Sequence, residues 1–252
     1  MNEERLIELL VKLHKGLRRL GPGNTQYTLK ALSLCENLPD APDILDIGCG
    51  AGAQTLDLAL ATTGKITAVD LIPAFLEQLN TSIQEQGLQN RITICECDMN
   101  HLPFADQSFD LVWSEGAAYI MGFDNALRAW KRLLRPGGYL VLTEVSWFKA
   151  NPPAKLKAFW NENYPAIRSV QDNLVAARSL GWETVANFHL PDDGWKADYY
   201  GPLKIRLENF RKENANDKDA QNVADMTDEE ILLFDNYSDY YGYEFYILYL
   251  NS

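Results

Sequence analysis

Apolar residues near the start of the chain recur at helical spacing. Leu6, Leu9, Leu10, Leu13, Leu17 and Leu20 are separated by Glu3, Glu4, Lys12, Lys15, Arg18 and Arg19, so the spacing predicts an amphipathic helix that Gly21-Pro22-Gly23 stops. A second helix is expected over about Thr25–Asn37. A regular alternation then begins. Short apolar or β-branched runs at Ile44–Gly48, Lys65–Asp70, Arg91–Asp98, Phe109–Glu115 and Gly138–Val145 read as strands. Helical stretches at Gln54–Ala61, Pro73–Gln86 and Asn125–Leu134 lie between them, the last ending at Arg135-Pro136-Gly137-Gly138. Strand and helix alternating at this period argue an α/β fold with a doubly wound parallel sheet.

After residue 145 the pattern changes. Trp147, Phe148, Pro152, Pro153, Phe159, Trp160, Tyr164 and Pro165 mix aromatic and helix-breaking side chains, which suits a cap better than another strand-helix unit. A helix over about Gln171–Leu180, a strand at Glu183–Leu190, a mostly helical 191–241 and a closing apolar strand at Glu244–Leu250 complete the expectation. Asn209–Asp219 is polar enough to read as a mobile surface segment. The working division is a single domain over 1–252, with N-terminal lid helices in 1–40, a ligand-binding core in 41–145, and cap insertions and final strands in 146–252.

Composition narrows the function classes. With 46% hydrophobic and 23% charged residues, the 252-residue chain has ample apolar surface for a large core. A net charge of −12 repels phosphate backbones and anionic membranes, and no compensating basic patch is evident, so neither nucleic acid nor a membrane is the expected partner. No apolar run reaches the ~18 residues of a membrane span. The first residues lack the order of a signal peptide, and a cytoplasmic location follows as the expectation. Cys35, Cys49, Cys95 and Cys97 match neither zinc nor C-x-x-C spacing and read as reduced, packed thiols; no metal site is expected.

Candidate chemistry gathers at the ends of the first three strands. Asp46-Ile47-Gly48-Cys49-Gly50-Ala51-Gly52 lies where the first strand turns into a helix, and glycine there lets backbone approach a ligand closely. Alone, such a turn also occurs in dinucleotide and nucleotide-sugar enzymes or as plain tight-turn chemistry. Asp70 ends the second strand, where a carboxylate can accept both hydroxyls of a ribose, with Leu71 beside it. Asp98-Met99 follows the third strand, where a carboxylate can accept an adenine amine and an apolar neighbour can pack the ring. Dinucleotide binding is the less suited alternative: the sixth place of G-x-G-x-x-G is Ala53 here, a residue sometimes tolerated there, and Asp98 with the R-P-G-G turn at Arg135–Gly138 tilts the choice.

These positions, in order, resemble the class I S-adenosylmethionine-dependent methyltransferases. The resemblance runs from about Leu45 to Val145, includes the R-P-G-G turn at Arg135–Gly138, and is closest to the small-molecule branch that contains the quinone-biosynthesis C-methyltransferases. It implies a Rossmann-like sheet of seven strands, mostly parallel with an antiparallel last strand, plus a helical and aromatic cap. It also implies S-adenosylmethionine as cofactor. Asp46 would support the turn and approach the methionine amino group, and Gly48, Gly50 and Gly52 would receive the methionine moiety. Asp70 would hold the ribose, and Asp98 with Met99 would frame the adenine. The expected activity is O-, N- or C-methylation of a small organic acceptor by a monomer or homodimer. A non-catalytic cofactor-binding sensor or partner protein is the alternative, and an RNA methyltransferase is disfavoured by charge.

For proton removal the candidates are Glu115, at the end of the fourth strand, Glu144, at the end of the fifth, and His189, at the end of the later strand. Glu115 is also suited to bind a substrate amine or to hold backbone amides. Asn151-Pro152-Pro153-Ala154 follows the wrong strand and ends in the wrong residue for an amine-methylating N-P-P-Y motif, and reads as a loop. Trp147, Phe148, Trp160, Tyr164, Trp195, Tyr199 and Tyr200 are candidates to line a substrate pocket closed by the first helix, with Gly21-Pro22-Gly23 and Tyr27 at its hinge.

Overall fold

A computed structural model describes residues 1–251. Its core is one sheet of strands β1 (Ile44–Ile47), β2 (Ile66–Asp70), β3 (Ile92–Glu96), β4 (Phe109–Ser114), β5 (Leu134–Trp147), β6 (Arg168–Ser169), β7 (Glu183–His189) and β8 (Tyr241–Tyr249). Their spatial order is β3-β2-β1-β4-β5-β8-β7, with the two-residue β6 beside the end of β5. Strands β1 to β5 pair in parallel, and β8 runs antiparallel to both β5 and β7. The expected seven strands and antiparallel last strand are present; β6 is an addition.

Alternation along the strands explains why helices cover both faces. Ile44, Leu111, Trp113 and Val141 join one apolar cluster, while Leu45, Val112, Leu140 and Leu142 join another on the opposite face. Helices α3 (Ala53–Ala61), α4 (Pro73–Glu85), α5 (Phe123–Lys131), α6 (Ala154–Asn163) and α7 (Val170–Ser179) connect the strands. The stretch 191–241 is helical as expected, with α8 (Asp192–Trp195) continuing through a π-helical turn at Lys196–Tyr200 into α9 (Gly201–Glu213), and then α10 (Lys218–Tyr237).

Several expectations need correction. The R-P-G-G residues do not precede β5 but lie within it, as an irregularity in the β4 pairing between Phe109 and Leu111, with Gly137 at φ +82°. Asn209–Asp219 is not a mobile segment, because Phe210 is fully buried and Asn214 donates from its side chain to the Phe210 carbonyl at 2.7 Å. Cys95 and Cys97 are joined through their sulfurs rather than free. Alternate residues of an extended segment share a face, and their Cα atoms are 5.6 Å apart, within disulfide reach. Cys35 and Cys49 are free and buried.

The largest correction concerns the opening helix. Helix α1 (Glu3–His14) is capped by Asn2 and stops six residues before the apolar spacing does, because Gly16 takes φ +88° and turns the chain away. Residues 15–24 instead run across the sheet's C-terminal edge to α2 (Thr25–Ser33). That crossing buries Arg19. Its guanidinium reaches Asp57 of α3 at 3.2 Å and Glu115, just beyond β4, at 3.1 Å, with all three side chains no more than 5% exposed. Glu115 accepts in addition from the Thr28 hydroxyl at 2.7 Å and the Trp113 indole at 3.0 Å. Gly23 is part of the same packing, since a Cβ there would sit 2.2 Å from the Arg19 guanidinium.

Breaking a buried pair leaves its partners uncompensated, typically a loss of about 3–5 kcal/mol. Arg19→Met is therefore expected to lose stability of that order in urea titration. Arg18→Met, at the 65% exposed arginine that also reaches Asp57, should change it by less than about 1 kcal/mol. Equal effects of the two substitutions would show that burial of Arg19 confers no special role.

Candidate functional site

Strand β1 lies between β2 and β4, so the chain's connections leave the sheet in opposite directions on either side of it and open a crevice at the strand ends. The glycine turn occupies this crevice. Gly48, Gly50 and Gly52 all have left-handed backbone, at φ +71°, +53° and +83°, a region that side chains with a Cβ resist. Added Cβ atoms would also meet Ala117, Leu20 and Leu79 at 2.3, 2.7 and 2.1 Å, so the turn is packed between α4, the β4 end and the crossing segment. Gly52 precedes α3 with no side-chain cap, which leaves that helix end open toward the crevice.

Beneath the turn Asp46 is fully buried and accepts from Thr55 at 2.5 Å and Gln54 at 3.3 Å. Burial pushes its carboxyl up to about 7. Asp46 does not line the cavity, so it is not placed to approach a methionine amino group as the resemblance implied. Gln54, which sequence reasoning did not single out, links it to the turn by donating also to the Cys49 carbonyl at 3.3 Å, and reaches the cavity wall. Asp70 accepts from the backbone amides of Gly50 at 2.8 Å and Ile72 at 2.9 Å, tying the β2 end to the turn. Asp98 accepts from Asn100 at 2.9 Å and is held below the usual carboxylate range chiefly by that bond.

Asp70, Leu71, Asp98 and Met99 line one end of a cavity of about 650 Å³ together with the three glycines. This lies within the roughly 300–1,000 Å³ of small-molecule sites. The cavity continues past Gly116 and Ala117 to a second half formed by Leu10, His14, Tyr119, Tyr199, Thr227 and Glu230. Helix α1 roofs it, as the sequence led us to expect, but of the seven candidate aromatic residues only Tyr199 lines it. Trp195 and Tyr200 belong to the buried core beneath, and Tyr27, at the hinge, donates to Asp193 at 2.9 Å.

The three proton-transfer candidates are not brought together. Glu115 borders the cavity, but both its oxygens are engaged by Arg19, Thr28 and Trp113. His189 lies in a separate depression, stacked on Phe148 at 3.8 Å and paired with the buried Glu244. Glu144 is 3% exposed, outside the cavity lining, with one oxygen lacking any partner and burial pushing its carboxyl up to about 7. His14, Tyr119 and Glu230 escaped the sequence reading. His14 follows Leu10 by four residues and Glu230 follows Val223 by seven, so polar groups on the buried stripe of a helix were the available signal.

A buried carboxyl raised from about 4.5 to about 7 disfavours the folded state as it ionises. Within that window the folded protein holds the proton that the unfolded chain has released, so stability falls as pH rises. Glu144→Gln should therefore leave stability little changed below pH ~4.5, then gain on the wild type by up to about 1.4 kcal/mol per pH unit toward pH ~7, with no further gain above. Urea denaturation across this range measures the difference; a difference independent of pH would remove the burial account of Glu144.

The pattern of a methyltransferase domain family matches residues 45–142, the segment that contains the turn, Asp70 and Asp98. An uncharacterized methyltransferase of Bacillus subtilis, YodH, is 30% identical over 180 residues, covering 71% of this chain and 76% of that protein. A ubiquinone/menaquinone biosynthesis C-methyltransferase of Haemophilus ducreyi is 29% identical over 132 residues, about half of each chain. Several other curated relatives are matched over only a third to a half of their length. In fold, a methyltransferase from Geobacter sulfurreducens solved with S-adenosyl-L-homocysteine superimposes with a TM-score of 0.81 over 96% of this chain and 97% of that one, at 21% identity. The similarity to YodH extends well beyond the glycine turn, and the chain belongs to the class I S-adenosylmethionine-dependent methyltransferases.

Proposed function

We propose that the protein transfers the methyl group of S-adenosylmethionine to a small organic acceptor and releases S-adenosylhomocysteine. The observation that carries this reading is the continuity of the cavity, which runs from the glycine turn, Asp70 and Asp98 to a second, mostly apolar half under α1. A sensor that only held the cofactor would need no such extension. Solved neighbours that carry S-adenosylhomocysteine on the same fold support the choice of cofactor.

The residues present suit that cofactor. Left-handed glycines bare the backbone of the turn, Asp70 has acceptor capacity beyond the two amides it already receives, and Met99 with Ile72 supplies apolar walls beside the Asp98 carboxylate. When bound, the sulfonium provides an electrophilic methyl carbon. The protein's part is alignment and exclusion of water. Leu20 and Pro22 of the crossing segment cover the turn, and Arg19 holds that segment down. Glu115, engaged on both oxygens, sets the position of the β4 end rather than moving a proton.

Asp70→Asn keeps the shape of the site but removes one anionic acceptor, so S-adenosylhomocysteine should bind about tenfold or more weakly by calorimetric titration. Thermal stabilisation by S-adenosylhomocysteine should be lost in Gly50→Val, whose branched side chain resists φ +53° and meets Leu20. Incubation with methyl-labelled S-adenosylmethionine and a metabolite extract should yield a labelled small molecule. Unchanged affinity in Asp70→Asn would remove the ribose assignment, and absence of label in any small molecule would favour the sensor reading.

A further inference from the structure

The second half of the cavity holds one carboxyl that no cation among the described residues pairs with. Glu230, on α10, accepts a hydrogen bond from the Tyr200 hydroxyl at 2.8 Å. Among the described residues that hydroxyl is the one group that favours its ionised form, and burial pushes the carboxyl upward. The neighbouring cations are committed elsewhere. Arg19 serves Asp57 and Glu115, and Arg18 reaches Asp57 and Thr25 at 3.1 and 3.3 Å. His14 is held neutral by burial, its Nδ1 facing the Leu10 carbonyl at 2.9 Å and its Nε2 facing the Tyr199 hydroxyl at 3.2 Å. With Nδ1 donating to the carbonyl, Nε2 accepts from Tyr199.

Tyrosines surround this carboxylate. Burial, and after it the charge of Glu230, raises the pKa of Tyr119, Tyr199, Tyr200, Tyr241 and Tyr243 and keeps all five neutral. Tyr119 and Tyr199 line the cavity alongside Glu230, while Leu10, Val11 and Ile120 supply apolar wall. An uncompensated carboxylate in such surroundings is costly, and a ligand that brings a positive charge relieves the cost. Electron-rich ring faces favour the same charge. A carboxylate or phosphate ligand would instead meet Glu230 with no free cation beside it, and a neutral alcohol would leave its charge unanswered.

Resting on the methyl-transfer reading above, we propose that the methyl acceptor is a small amine that enters as a cation against the Glu230 carboxylate beside the rings of Tyr119 and Tyr199. Glu230 takes one ammonium proton, and the freed nitrogen lone pair forms the new N–C bond as the methyl–sulfur bond of S-adenosylmethionine breaks and its electron pair leaves on the sulfur of S-adenosylhomocysteine. Glu230 is then the residue that selects the acceptor class, a role that Glu115, saturated by Arg19, Thr28 and Trp113, is not free to take.

The test uses the full chain saturated with S-adenosylhomocysteine and three probes of one shape: 3-phenylpropylamine, 3-phenylpropanol and 3-phenylpropionate. The wild type should bind the amine at least about tenfold more tightly than the alcohol, as a charge-assisted contact implies, and should not bind the acid. Glu230→Gln should bring amine and alcohol within about threefold, while Glu230→Asp should keep the preference; affinity for S-adenosylhomocysteine should be the same in all three proteins. Equal affinity for amine and alcohol in the wild type, including no detectable binding of either, overturns the proposal, as does a preference that survives Glu230→Gln. Loss of S-adenosylhomocysteine binding in Glu230→Gln alone would place Glu230 at the cofactor and overturn it too. Failure of the wild type to bind S-adenosylhomocysteine would instead overturn the methyl-transfer reading itself.

Discussion

A single buried guanidinium, Arg19, joins the parts of this molecule that must meet for the site to exist. It bridges Asp57 on the helix that follows the glycine turn and Glu115 at the end of the neighbouring strand, and the segment that carries it is the one that covers the turn. Two carboxylates buried side by side would repel each other and pay the desolvation of both; the shared cation offsets this, while the exposed Arg18 adds a further bond to Asp57. The geometry leaves no room around the guanidinium, which is why residue 23 is glycine. The amide of that glycine donates to the Gly194 carbonyl at 3.0 Å, so the same short stretch also anchors the C-terminal helical region.

From this anchor the two halves of the cavity acquire different characters. The half around the glycine turn is made mostly of backbone and of carboxylates already engaged by amides: Asp70 by Gly50 and Ile72, Asp98 by Asn100. Such groups are held in place before any ligand arrives and lose little freedom on binding. The half under α1 is made of side chains from α1, the turn after β4, the π-helical turn and α10, elements far apart in sequence. It can vary without disturbing the turn, and one fold can thereby serve different acceptors.

That division also decides what the sequence revealed. Alternating apolar runs specified the strands because each side-chain set must enter one of two clusters, and Leu45 and Val112 were legible for the same reason as Ile44 and Leu111. The glycine turn was legible because positive φ at three alternate positions leaves few other residue types acceptable. Arg19 was not. Leu17 and Leu20 continue the helical spacing of α1, yet Gly16 ends the helix, and a pattern that counts apolar residues cannot register a backbone reversal between them. Glu230 sits in the run Asp228-Glu229-Glu230, where one solvated carboxylate looks like the next; only the facing of α10 turns the third of them into the cavity.

The contrast between Glu115 and Glu230 shows why strand-end position alone does not assign chemistry. Glu115 stands just beyond β4 on the cavity wall, and that position made it a candidate for proton transfer. Its partners, however, are a cation, a hydroxyl and an indole, all donors, and all supplied by the protein. A carboxylate so satisfied gains little from a ligand. Glu230 comes from a helix near the end of the chain and has one neutral donor. What a buried charge can do for a ligand depends on what its own protein has left undone, and by that measure Glu230, under α1 and beside the tyrosines, is the carboxyl with capacity left for a cationic ligand, whereas Glu115 at the end of β4 has none.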